Sequence, residues 1–336
     1  MHRRTALGCL AALALAPWAR AASPRDVRLQ TILDDAGTLS SLETVLVSLN
    51  GDRIAERAYR GNSLSQPTNI KSASKSVISA MVGIAIEKGM LDGPDQRVAP
   101  ILKTDLPVSP DPRLSEVTIG NLLSMQAGLQ RMSGPNYGRW VSTGNWVRSA
   151  LAAPFIDEPG GGMLYSTAST HLLSAILTRV GGKSTLALAR EWFDPLVGFS
   201  IAAWERDPQG IYLGGNQMAM TPRSLLAFGE LYTRGGLTNR GVQLVSADWI
   251  ARSWTPRTNS IFTGDAYGYG WFLRSIGGVQ VRYGWGYGGQ MLYVVPSLGL
   301  TVVMTSDENN PSARTGYRDR LHGILGEIVT AVRTSG

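Results

Sequence analysis

The stretch that decides the fold is "SASKSVISAMVGIAIEKG", residues 72–89. It opens on small polar residues, continues as a nearly unbroken apolar run and stops at Gly89. Val77 to Ile86 therefore reads as a buried helix with a glycine stop. One cation, Lys75, stands where the polar start meets the apolar body. It follows Ser72 by three residues, so the two share a helix face one turn apart. Ser72 falls at the expected helix N-terminus, where free N–H groups and the helix dipole favour negative charge. A serine hydroxyl is a poor nucleophile until a base takes its proton. A lysine held among Val77, Ile78 and Val82 has its charged form disfavoured, which draws its pKa toward neutrality. Such a pair can be nucleophile and activator without histidine. The same spacing also suits a helix cap followed by a lysine that snorkels to solvent.

Outward from this helix, "ETVLVSLNGDRIAERAYRG" (43–61) places two β-rich runs around Asn50-Gly51, a strong hairpin signal. Helix signals dominate from about 72 to 235, with "TIGNLLSMQAG" (118–128), "STASTHLLSAILTRVGG" (166–182) and "TPRSLLAFGELYTRGG" (221–236) each ending at glycine. "SADWIARSW" (246–254) adds one more short helix. "YGYGWFLR" (267–274), "GVQVRYGW" (278–285), "QMLYVVP" (290–296) and "LTVVMTS" (300–306) read as an antiparallel meander, and Arg314 to Arg333 as a closing amphipathic helix. The expected architecture is α/β (α+β): one antiparallel sheet flanked by helices, with a helical subdomain inserted. Residues 22–71 and 237–336 form the α/β part, residues 72–236 the mainly helical part, and the active site lies at their junction.

The 336 residues carry a net charge of +7 and a single cysteine. Residues 1–21, "MHRRTALGCLAALALAPWARA", have a basic start, an apolar run and a small-x-small end, the pattern of a cleaved export signal. Arg3-Arg4 fits twin-arginine export, and ordinary Sec export stands beside it. A periplasmic or secreted location follows from either route. The segment holds three arginines, no acid and the one cysteine, so its removal leaves +4 and no thiol. No dense basic cluster speaks for nucleic acid. No later run is long enough to span a bilayer. Of three histidines, only His171 and His322 remain, and neither lies in a metal-binding spacing, so no metal or cofactor is expected. "VGGKST" (180–185) lacks the first glycine of a phosphate loop and reads as a helix end followed by a new helix start.

With "LLSMQAGL" (122–129), "YSTASTHLLSAIL" (165–177), "WERDPQGIYLGGNQMAMTPRSLLAFGELYTRGG" (204–236), "YGYGWF" (267–272) and "YGGQMLYVVPSLGLTVVM" (287–304), the nucleophile-helix segment resembles the serine β-lactamase and penicillin-binding-protein superfamily. It looks most like the class C-related branch that includes esterases and 6-aminohexanoate-dimer hydrolases. The resemblance implies a β-lactamase/transpeptidase-like fold and a small-molecule ester or amide substrate. It implies Ser72 as acylated nucleophile, Lys75 as its partner and Tyr165 as a proton relay. Either Lys75 or Tyr165 can be the base. Thr167 stands where the family often has Asn or Ser, as helix cap or catalytic group. Gly284-Trp285-Gly286 falls at the family's Lys-Thr-Gly or His-Thr-Gly element, so the cation is missing unless Arg282 or another arginine replaces it. The N–H groups of Ser72 and Tyr287 are the implied oxyanion hole. Tyr137, Asn216, Trp285 and Gly286 are the implied substrate contacts. The alternatives are a β-lactamase or D-amino-acid peptidase acting on cell-wall-type substrates, and a catalytically weak peptidoglycan-binding relative.

Overall fold

In the computed structural model, which describes residues 23–313 and 315–334, Asn50 and Gly51 take φ of 54° and 89°. Positive φ at both central residues is what a two-residue hairpin turn requires. The turn joins β1 (Leu42–Leu49) to β2 (Asp52–Ala58). A small second sheet pairs β3 (Thr68–Asn69) and β4 (Ala203–Trp204) with β5 (Met218–Met220) between them. The C-terminal strands are β6 (Thr258–Asn259), β7 (Ala266–Tyr267), β8 (Phe272–Ile276), β9 (Val279–Gly286), β10 (Gln290–Val295) and β11 (Leu300–Ser306). They join the hairpin in one antiparallel sheet ordered β2-β1-β11-β10-β9-β8-β7-β6. The fold is β-lactamase/transpeptidase-like.

Both faces of this sheet are covered, and strand alternation sends neighbouring residues to different cores. Leu46, Leu292, Val294 and Val303 face one core with Val77, Met81, Leu172 and Phe228. Val45, Val47, Tyr293 and Val302 face the other, with Leu29 and Leu33 of the helix Pro24–Ala36 and Leu325 and Ile328 of the helix Tyr317–Arg333. Eight of the ten α-helices among the described residues lie between β2 and β6.

Two boundaries differ from the sequence expectation. The run 267–274 is not one strand: it breaks after Tyr267, and Gly270 (φ 77°) turns against the nucleophile helix, where its carbonyl accepts from Ser76 Oγ at 2.7 Å. The closing helix begins at Tyr317, not at 314. The export-signal reading of residues 1–21 lies outside the described residues.

Candidate active site

Ser72 sits in a single 3-10 turn, Lys71–Ala73, that feeds the α-helix Ser74–Glu87. The turn is entered through Lys71, a non-glycine residue at φ 49°. Asn69 Oδ1 accepts the Lys71 N–H at 2.9 Å and fixes that geometry. Met125 (φ 65°) and Gln217 (φ 52°) are strained in the same way. They connect to the same region: Asn69 Nδ2 donates to Gln217 Oε1 at 2.6 Å, and Met125 accepts the N–H of Ser166 through its sulfur at 3.5 Å. Strained backbone of this kind collects where surrounding structure holds a functional geometry.

Lys75 lies in the first turn of the helix and is buried. Its Nζ is 3.0 Å from Ser72 Oγ and donates to the Gly215 carbonyl at 2.6 Å. Both partners are neutral. Burial with no counter-charge pulls Lys75 down from the ordinary 10.5 to about 7. The Tyr165 ring lies 5.1 Å from Nζ. Burial pushes the Tyr165 phenol up to about 12, and a hydrogen bond with Ser72 tempers the shift. A proton on Lys75 is therefore easily released and one on Tyr165 firmly held. Tyr165 is fixed by Phe272, stacked at 6.1 Å, and Tyr267, edge-on at 6.1 Å.

The Gly215 carbonyl is a functional atom that motif reading did not supply. Gly215 has φ 79°, and a Cβ there would come within 2.8 Å of Lys75 Cγ and 2.9 Å of Thr170 Cβ. Only glycine lets this backbone come so near the lysine. The glycine pair at 214–215 was the available signal.

The next residue, Asn216, donates from Nδ2 to the Tyr137 hydroxyl at 3.0 Å. Tyr137, at the start of the short helix Tyr137–Val141, and Asn216 are thus brought together beside the atoms that hold Lys75. The Tyr137 loop is fastened to the Tyr165 segment. Met132 N–H donates to Ser166 Oγ at 2.9 Å, and Thr167 N–H donates to Ser133 Oγ at 2.9 Å. Thr167 Oγ1 also meets Ser133 Oγ at 3.0 Å, so its side chain anchors the loop.

On the sheet side, β9 runs against the nucleophile turn. A Cβ on Gly284 would lie 3.1 Å from Ser76 Oγ. One on Gly286 would collide with the Ile70 carbonyl and lie 3.0 Å from Lys71 Cβ. These glycines let the strand press onto the turn. Tyr287 follows at the β9–β10 turn with its side chain exposed.

Trp285, expected beside substrate, lies 5.9 Å from Phe272, the ring that stacks on Tyr165. Strand alternation points it to the opposite face from Gly284 and Gly286, into the core of Tyr283 and Val281. Its Nε1 donates to Ser312 Oγ at 3.1 Å, and the Arg318 guanidinium lies 5.1 Å over its ring. Arg282 stands two residues, roughly 7 Å of strand, before Gly284, and its guanidinium lies 5.5 Å over Trp254.

No group of three or more His, Cys, Asp or Glu among the described residues could hold a metal ion, and no described helix is long and apolar enough to cross a membrane.

No curated protein matches the chain by sequence. Solved structures do. A provisionally named 6-aminohexanoate-dimer hydrolase from Bacillus anthracis is 20% identical with a TM-score of 0.71, over 90% of this chain and 81% of that one. EstCE1, a hydrolase with promiscuous acyltransferase activity, is 19% identical with a TM-score of 0.71, over 92% and 98%. The D-amino acid amidase from Ochrobactrum anthropi is 15% identical with a TM-score of 0.72, over 93% and 99%. These likenesses concern the fold. The model of the beta-lactamase family matches residues 43–326, from the first strand into the last helix, and the chain belongs to that family.

Proposed function

We propose that this chain is an exported serine hydrolase that cleaves an ester or an uncharged amide through an acyl-Ser72 intermediate. The observation that carries the reading is Lys75: buried, 3.0 Å from Ser72 Oγ, bonded only to neutral oxygens and titrating at about 7. Near neutrality it is an amine with a lone pair to offer, which makes it the base of the pair.

In this mechanism the Lys75 amine takes the Ser72 proton as Oγ attacks the substrate carbonyl. The N–H groups of Ser72 and Tyr287 receive the oxyanion. Tyr165, which keeps its proton at working pH, gives it to the leaving oxygen or nitrogen as the carbonyl–heteroatom bond breaks. Lys75 returns a proton to the phenolate, so the acyl-enzyme forms with both groups restored. Water then attacks the ester, passes its proton by the same route to Ser72 and releases the acid.

The substrate class follows from what surrounds Ser72. Gly284 and Gly286 offer no charge, and the nearby Lys71 ammonium is paired with Glu308 at 3.1 Å. A neutral acyl group suits this site better than the carboxylate of a β-lactam or a D-amino-acid peptide. The Tyr137–Asn216 pair offers a phenol and an amide to an amide bond.

The test is the intact mass of the protein after incubation with a phosphonate ester, with Ser72→Ala in parallel. A single adduct on wild type and none on the variant is the expected result. A folded wild type that takes no adduct would falsify the hydrolase reading and favour a binding relative. Turnover of a chromogenic cephalosporin faster than of simple esters would overturn the substrate class.

A further inference from the structure

The helix Thr167–Gly181 carries a histidine that the mechanism does not use. His171 is fully buried, and so is its partner Asp207, with Nε2 and Oδ2 3.1 Å apart. The other ring nitrogen, Nδ1, accepts the N–H of Gly214 at 3.4 Å. An accepting Nδ1 is unprotonated, so the ring proton is on Nε2 and points to Asp207. Asp207 is held in turn: its Oδ1 accepts the N–H groups of Gln209 and Ile211, both at 2.8 Å.

The imidazole lies beneath the substrate side of the site. Gly214 precedes Gly215, whose carbonyl holds Lys75, and Asn216, which holds Tyr137. A Cβ on Gly214 would come within 2.9 Å of the His171 Cα, so the segment rests directly on this helix. On its other side, the His171 ring meets Trp140 edge-on at 5.6 Å, and Trp140 meets Tyr137 edge-on at 6.0 Å. One buried ring thus adjoins the supports of both members of the Tyr137–Asn216 pair.

We infer that His171, oriented by Asp207, is a positioning residue that holds the Gly214–Gly215–Asn216 segment against Lys75 and Tyr137. Its worth to the reaction rests on the acyl-Ser72 reading. The tether itself does not. The chemistry is a tautomer lock: only the form protonated at Nε2 can accept from Gly214.

Asp207→Asn tests the lock with almost no change of volume. In that variant the backbone donors of Gln209 and Ile211 hold the new amide's oxygen, so its NH2 faces Nε2. The ring must then carry its proton on Nδ1, where it opposes the Gly214 N–H. His171→Asn is the rescue, because its amide oxygen can replace Nδ1 as acceptor without help from residue 207. Imidazole 15N shifts, amide exchange at residues 214–217 and the rate of Ser72 phosphonylation are read for each.

The expected result is the Nε2–H tautomer in wild type and the Nδ1–H tautomer in Asp207→Asn. Amide exchange in the variant rises about 10-fold and labelling falls about 10- to 100-fold. His171→Asn retains more of both, and adding Asp207→Asn to it changes little. A switched tautomer with wild-type exchange and labelling overturns the inference. Should Asp207→Asn fail to fold, His171→Asn decides: a protected Gly214 amide supports the tether, and free exchange there with wild-type labelling overturns it. If wild type takes no label, the hydrolase reading fails, while the tautomer and exchange data still judge the tether.

Discussion

Lys75 Nζ stands 2.6 Å from the Gly215 carbonyl oxygen, closer than its 3.0 Å to Ser72 Oγ. A carbonyl can only accept, so it draws an N–H of the neutral amine toward itself. The lone pair is then free to face Ser72. The glycine carbonyl orients the amine without adding charge that would raise its pKa.

This orientation sets a pH profile. Lys75 titrates at about 7, so below that pH it is an ammonium and cannot accept a proton. Phosphonylation of Ser72 should rise as pH increases through about 7 and level off above it. A rate already flat from pH 5 to 9 would remove Lys75 as the base.

The same burial affects stability. The folded pKa of about 7 lies below the ordinary 10.5, so the unfolded chain holds more protons between those values. Stability therefore rises with pH across that window. Lys75→Met should abolish labelling yet raise stability at pH 7 by about 1–2 kcal/mol. Urea denaturation at pH 7 and pH 9 checks both signs, with the gain smaller at pH 9.

Tyr165 holds its proton to about 12, which suits a donor to the leaving group. Tyr165→Phe should slow poor leaving groups most. Alkyl esters and amides should lose about 100-fold or more, and nitrophenyl esters, whose leaving group needs no proton, far less. Equal losses for both substrate types would assign Tyr165 elsewhere.

Gly215→Ala places a methyl 2.8 Å from Lys75 Cγ on a backbone at φ 79°. Lysine and carbonyl must part. Labelling should drop by at least about 10-fold, with a stability loss of about 1–3 kcal/mol. Wild-type labelling in a folded variant would show that the lysine does not need this carbonyl.

Asn216→Ala and Tyr137→Phe each remove one side of the 3.0 Å bond between these two residues. Steady-state kinetics on matched ester and amide substrates should show about 10-fold lower kcat/KM for the amide and little change for a small ester. No difference between the substrates would separate the pair from amide recognition.

Local chemistry made much of the site visible in the sequence. The Asn50-Gly51 turn and the meander follow from short-range rules, and Ser72, Lys75 and Tyr165 fall in contiguous motifs. The resemblance also supplied Tyr137 and Asn216, and the fold places them in contact. Contributions that come only from distant packing were not legible. The Gly215 carbonyl is one: the glycine pair marks a close backbone approach, but not that Lys75 is what it approaches. His171 is another, since its meaning depends on Asp207 and Gly214, which lie 36 and 43 residues away. The face that Trp285 takes was likewise not legible, because the resemblance gave its place on the strand and only strand parity gives its direction. The break after Tyr267 was signalled by Gly268 and Gly270, since glycine inside a strand pattern marks a bend or a close approach.

The sheet order carries a temporal consequence. β11, the last strand made, lies between β1 and β10. The first hairpin off the ribosome therefore has no neighbour to pair with until almost the whole chain has emerged. A chain cut before Leu300 therefore lacks the strand that ties the first hairpin to the rest of the sheet.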